Sequence, residues 1–167
     1  MVAAAAEIDV PGGWECRRPP DPHALLAHPP DQRGPVRPTL VVDLTAVPGA
    51  RSASDPCDGT AVPGARSASD SFDAYAATQL AGLLATYGGH LIHADLTRRP
   101  APTLDVALAV EQLGVDLTVV QRHVLPGDGH AVVATGTCAD ADWPAIAPDL
   151  LAAVRSLRPA RAAGPSP

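Results

Sequence analysis

Between residues 104 and 110 the chain reads LDVALAV, a strict alternation of apolar positions with small or charged ones. A strand sends successive side chains to opposite faces, so Leu104, Val106, Leu108 and Val110 share one face. Two more apolar runs follow, LTVVQRHVL (117–125) and HAVVATGTC (130–138). Leu113–Asp116 and PGDG (126–129) separate them, and glycine there supplies the positive φ that tight hairpins need. Strands joined this closely pair antiparallel, which predicts a three-strand meander.

The flanking segments supply helices and more strands. In FDAYAATQLAGLLATY (72–87), Phe72, Tyr75, Leu80, Leu83, Leu84 and Tyr87 fall mostly on one helical face. Asp70 and Ser71 offer N-cap oxygens before it, and Gly88-Gly89 can close it. HLIHADLT (90–97) and LVVDLTAV (40–47) read as strands. A last helix begins near Asp142-Trp143-Pro144, with Ile146, Leu150, Val154 and Leu157 at helical spacing and Pro148 in the first turn of its main segment. Strands segregated from helices predict an α+β domain, an antiparallel β-sheet flanked by two main helices. The expected organisation is a flexible N-terminus at 1–7, one domain over 8–158, and a disordered tail at 159–167.

A tandem duplication interrupts this pattern. TAVPGARSASD fills 45–55 and recurs unchanged at 60–70, with Pro56-Cys57-Asp58-Gly59 between. The first copy can finish a strand and the second can start a helix. One copy would do both jobs, so the other reads as an enlarged surface loop, costing on the order of 1 kcal/mol or less in closure entropy.

Composition excludes several classes of function. Of 167 residues, 32 are alanine and only 37 are Leu, Ile, Val or Phe, which predicts a small, alanine-filled core. All 12 basic residues are arginine, and Lys and Asn are absent, a bias expected of a GC-rich bacterial genome. A net charge of -6, with basic pairs only at Arg17-Arg18 and Arg98-Arg99, argues against a nucleic-acid partner. No apolar run reaches the roughly 18 residues a membrane helix needs, so membrane insertion is not expected. The start, MVAAAAEIDV, lacks the basic and apolar regions of a secretory leader. Cys16, Cys57 and Cys138 are widely spaced and odd in number, which fits reduced thiols in the cytoplasm.

No pattern assembles a catalytic set, a metal site or a cofactor cradle. Strand alternation puts His90 and His93 on opposite faces, where they cannot chelate one ion. Asp140 and Asp142 precede a helix, where capping suits them better than acid–base chemistry. The serines lack a nucleophile-elbow context, and no glycine run fits a phosphate loop. Trp14 and Trp143 read as anchors of the N-terminal segment and the last helix. The polar cluster Gln121, Arg122 and His123 interrupts an apolar strand. Alternation sends Arg122 to one face and its two neighbours to the other, with Glu111 a candidate ion-pair partner for Arg122. These four residues form either a polar rim or a partner-binding site, and Val119 and Val120 leave the hairpin register open.

Several strings in order resemble the LpqN/DcrB-like proteins of the PsbP-like superfamily, which includes the Ran-binding Mog protein. They are VPGGWE (10–15), DPHALLAHPP (21–30), RPTLVVDLTAVPG (37–49), SFDAYAATQLAGLL (71–84), VVQRHVL (119–125), GHAVVATGTC (129–138) and WPAIAPDLLAAVRSLRP (143–159). The resemblance spans about 8–158 and implies an antiparallel sheet between helices with no shared catalytic site. It also implies a non-enzymatic module that binds a protein partner, with a secretion-associated chaperone or accessory role as its most concrete form. A homodimer through a sheet edge is a further expectation. The alternative is a small-ligand carrier or enzyme, with a pocket between sheet and helices lined by Arg122 and His123.

Overall fold

A computed structural model of the protein describes residues 6–17, 25–30, 35–47, 68–98, 101–126 and 130–159. Its elements run β1 (Ala6–Glu7), β2 (Glu15–Arg17), β3 (Leu25–His28), β4 (Thr39–Ala46), α1 (Ala68–Tyr87), β5 (His90–Thr97), β6 (Thr103–Gln112), β7 (Val115–Val124), β8 (His130–Ala139), α2 (Trp143–Ser156) and β9 (Arg158–Pro159). Strands β2 to β8 form one antiparallel sheet in the order β2-β3-β4-β8-β7-β6-β5. The predicted α+β sandwich is the observed architecture, with α1 on one face and α2 on the other.

The meander explains the shape of the core. In β6, the predicted Leu104, Val106, Leu108 and Val110 are all buried, and they pack with Phe72, Tyr75 and Ala76 of α1. On the opposite face, Leu40, Val120, Val132 and Val124 pack with Leu150, Ala153, Val154 and Leu157. Strands β7 and β8 lie mid-sheet under both helices, so they bury both faces and read as near-continuous apolar runs. That is why Val119 and Val120 are both apolar: one faces α1 and the other α2.

The β6–β7 turn is tighter than the sequence suggests. It holds only Leu113 and Gly114, with φ of 53° and 75°, and Gln112 pairs with Val115. Two consecutive positive φ values match the right-handed twist of the flanking strands. Leucine seldom occupies such a position, so the turn residue that fixes the register is disguised.

Three expectations need correction. Ala6 and Glu7 are paired with Pro159 and Arg158, so the N-terminal stretch and the residues after α2 form a small ribbon. Arg158 reinforces it by donating to Glu7 at 3.0 Å. Pro148 lies inside α2, not in its first turn, because the helix starts at Trp143 and Pro144 takes the first-turn place. Asp142 occupies the N-cap position without capping through its side chain. A 3-10 turn over Asp140–Asp142 has already brought it to helical φ and ψ (-92°, -12°), whereas a capping residue needs extended backbone. Trp14 and Trp143 both pack, partly buried, against the α2-side core.

The duplication divides as expected at its two ends, a strand finishing in one copy and a helix starting in the other, but α1 opens at Ala68, so Asp70 and Ser71 lie inside it and do not cap it. Thr45 and Ala46 finish β4, Val47 is buried in the α1-side core, and Ala68, Ser69 and Asp70 open α1. Residues 48–67 and the tail from 160 lie outside the described residues. Deleting 45–59 leaves one intact copy, with Thr60-Ala61-Val62 in the places of Thr45-Ala46-Val47. Thermal unfolding should then shift by only a few degrees, roughly, because the core valine is replaced in kind. A loss of cooperative unfolding in this deletion variant would show that the second copy is structurally required.

Candidate interaction site

The four residues singled out in the sequence separate in space. Gln121 and His123 point from β7 toward α1 and are buried, His123 at 2% exposure. They belong to a chain of hydrogen bonds. His123 Nε2 meets Gln121 Oε1 at 3.0 Å, Gln121 Nε2 donates to Thr135 Oγ1 at 3.1 Å, and His123 Nδ1 meets the Tyr75 hydroxyl at 2.8 Å. Because an amide oxygen only accepts, Nε2 carries the ring proton, and Nδ1 accepts from the phenol. Burial pushes the His123 pKa down to about 4 and the Tyr75 pKa up to about 12, so both stay neutral at pH 7. The network pins α1 to the sheet. It is interior structure, and a rim it is not.

Arg122 points to the other face, but its partner is Asp105 and not Glu111. The two-residue turn sets Arg122 directly across from Asp105 and Glu111 across from Asp116. Arg122 donates from Nε and a terminal nitrogen to the two carboxylate oxygens, each at 2.7 Å, and also to the carbonyl of Arg155 near the end of α2. The hydrogen bond to Asp105 is the main cause of its raised pKa. The bidentate pair therefore clamps α2 to β6 and β7.

Glu111 is exposed and lines an open recess of about 290 Å³ with Gly88, Gly89, His90, Asp116 and Asp140. This recess sits at the end of the sheet, away from both Arg122 and His123. The space between sheet and helices around those two residues is occupied by the contacts just described. Nearby, Asp140 accepts from the Thr118 hydroxyl, and Asp142 Oδ2 is buried with no hydrogen-bond partner. Burial first, then the charges of Asp142 and Asp140, raises the Cys138 thiol to about 11. It is a packed side chain and not a nucleophile. Cys16 is an exposed free thiol.

The surface that sequence reasoning missed lies at β5. This strand ends the sheet, and all eight of its residues are exposed. A bulge at Ile92 shifts the pairing, so that His90 lies opposite Ala109 and His93 opposite Ala107. The two histidines thus share a face, against the expectation from simple alternation. Among the described residues, no cluster of three or more His, Cys, Asp or Glu side chains could hold a metal ion. Leu91 and Leu96 face the α1 side at 43% and 42% exposure, and Ile92 reaches 60%. Leu84 and Tyr87, grouped in the sequence with Phe72 and Tyr75 as mostly one helical face, are 39% and 37% exposed near the end of α1. The first half of α1 covers the core, and its end leaves an apolar margin beside the sheet edge. Arg98 ties the far end of β5 to α1, one terminal nitrogen donating to both carboxylate oxygens of Asp73 at 3.1 and 3.0 Å.

No family model and no curated protein matches the chain. Solved structures do. LpqN of Mycobacterium tuberculosis, described as involved in cell envelope biogenesis, superposes with a TM-score of 0.62 at 14% identity, over 93% of this chain and 83% of that one. The cyanobacterial PsbP of Synechocystis sp. PCC 6803 gives 0.54 at 12% identity, over 93% of both chains. The Ran-binding protein Mog1p of Saccharomyces cerevisiae gives 0.52 at 13% identity, over 92% of this chain and 89% of that one. Among the described residues, no helix is long and apolar enough to cross a membrane. Sheet order, helices on both faces and these superpositions together give the chain the PsbP/Mog1-like fold.

Proposed function

We propose that this protein is a non-enzymatic protein-binding module of the cytoplasm, and that its partner docks along β5 and the end of α1. The observation that carries this reading is the grouping of exposed large apolar side chains. Among the described residues there are six, and five of them, Leu84, Tyr87, Leu91, Ile92 and Leu96, lie within one helix–turn–strand segment. Singly exposed leucines are ordinary, whereas a contiguous group beside an open sheet edge is the kind of surface a partner covers. A strand edge also offers backbone hydrogen bonds to an incoming chain. Ran binding by Mog1p, on the same fold, supports the class of function by analogy alone. The free thiols of Cys16 and Cys138 suit a reducing compartment. A chaperone or accessory role is the form of activity this surface fits best.

The test is co-purification of the tagged chain from its own host, repeated with Ile92→Asp. A stoichiometric companion, whether another protein or an untagged copy of this chain, should be held by the wild type. The variant should lose it at least about tenfold, with an unchanged circular dichroism spectrum. A companion held equally by both chains would move the binding site elsewhere. A ligand-dependent rise in melting temperature abolished by Glu111→Ala would instead favour the recess as a small-molecule site.

A further inference from the structure

The β5 edge carries more information than exposure. Its backbone has no neighbour on the outer side among the described residues, and natural proteins cover or blunt such edges. Here no proline or lysine blunts it over eight residues, and beyond the bulge at Ile92 the run from His93 to Thr97 pairs regularly. Cross-strand pairing fixes where the side chains point: His93 and Asp95 share the α2 face, and Ala94 and Leu96 the α1 face. Asp95 is directly opposite Asp105, whose carboxylate is already taken by Arg122, so Asp95 faces a like charge across the ladder.

We propose that the occupant of this edge is a second copy of the chain, with the two β5 strands antiparallel about a two-fold axis at Ala94. This inference rests on the β5 surface assigned above and names what covers it. Directly opposed residues in an antiparallel pair point to the same face, so a two-fold axis must pass between one residue and its own copy. Centring on His93 sets histidine against histidine, and centring on Asp95 sets aspartate against aspartate. Centring on Ala94 places each His93 against the second copy's Asp95, on the α2 face. It also brings the second copy's Leu96 to the bulge that holds Leu91 and Ile92, and leaves the smallest side chain at the axis. The strand is self-complementary in polar and apolar contact in this register, because the second copy's His93 brings a ring N–H donor to the carboxylate of Asp95, which has only a like charge opposite it within its own sheet. The result is a continuous sheet through both copies, with each helix layer extended across the junction.

The experiment uses the full chain in sedimentation velocity and light scattering from about 1 to about 100 µM. The wild type should dimerise in that range. His93→Asp should weaken the dimer at least about tenfold, because each aspartate then meets the second copy's Asp95. The double exchange His93→Asp with Asp95→His should restore it, which a merely destabilising change would not do. In a Cys16→Ser, Cys57→Ser background, Ala94→Cys should form an intermolecular disulfide on mild oxidation, since directly opposed positions fall within disulfide reach. A chain that stays monomeric throughout, or a dimer indifferent to both charge changes, overturns the proposal. A monomer that nevertheless holds a different protein through Ile92 overturns self-pairing and leaves the binding reading standing. A monomer with no companion overturns both.

Discussion

A valine at position 136 is expected to destabilise the protein by about 3 kcal/mol and to lower its melting temperature by roughly 10 °C. Gly136 lies mid-strand in β8, between Leu40 and Val120, on the face that α2 covers. Leu150, fully buried, drops from α2 into the space above it. A Cβ at position 136 would come within 2.7, 2.8 and 3.0 Å of three Leu150 carbons. Leu150 has nowhere to move, because Val154, Ala153 and Leu157 pack beside it in the same cluster. Glycine is normally a weak strand residue, so its presence here marks the closest approach of helix to sheet. Chemical denaturation of Gly136→Val, Leu150→Ala and the double variant checks this. Leu150→Ala alone should cost about 2–5 kcal/mol through the cavity it leaves. The double variant should cost clearly less than the sum, because the valine fills that cavity. Strict additivity would show that Gly136 and Leu150 do not share space.

The periodic parts of this fold were legible because each period is set by local geometry. The alternation of β6, the glycine stop of α1 and the closing helix all read directly from residue spacing. What was hidden depends on single residues that break a period. Ile92 adds one residue to β5, and that bulge carries His93 onto the face of His90. Leu113 adopts a positive φ that only its neighbour Gly114 advertises, so the turn looked longer than two residues. With the register left open, Glu111 stood as a candidate partner of Arg122, a place that the two-residue turn gives to Asp105.

The candidate site was less legible than the fold, for a physical reason. Gln121 and His123 are polar residues in an apolar strand, and such residues are either surface features or parts of a satisfied buried network. Only the position of Tyr75, 48 residues away, decides between the two. The β5 margin was invisible for the opposite reason. Leu84, Tyr87, Leu91 and Leu96 read as core by type, and their exposure follows from how little of β5 the end of α1 covers.

The buried network should make stability fall steeply as pH drops from about 6.5 to about 4, by about 3 kcal/mol from His123 alone. The unfolded chain binds a proton at the ordinary histidine pKa near 6.5, whereas burial holds the native ring neutral down to about 4. Between those values the unfolded state binds more protons than the native one, so acid favours unfolding. Above about 6.5 both states are neutral and the contribution is fully present; below about 4 it is fully lost. Asp105 acts weakly in the opposite sense, favouring the charged ring. Urea unfolding at pH 7.5, 6.5, 5.5 and 4 should be compared with His123→Gln, which keeps a donor and an acceptor between Tyr75 and Gln121. Carboxylates that titrate in both proteins cancel in the difference, which should converge by about 3 kcal/mol toward the variant as pH falls. A difference that stays level across that range would mean that His123 is protonated in the native state, with Tyr75 accepting its proton instead of donating one.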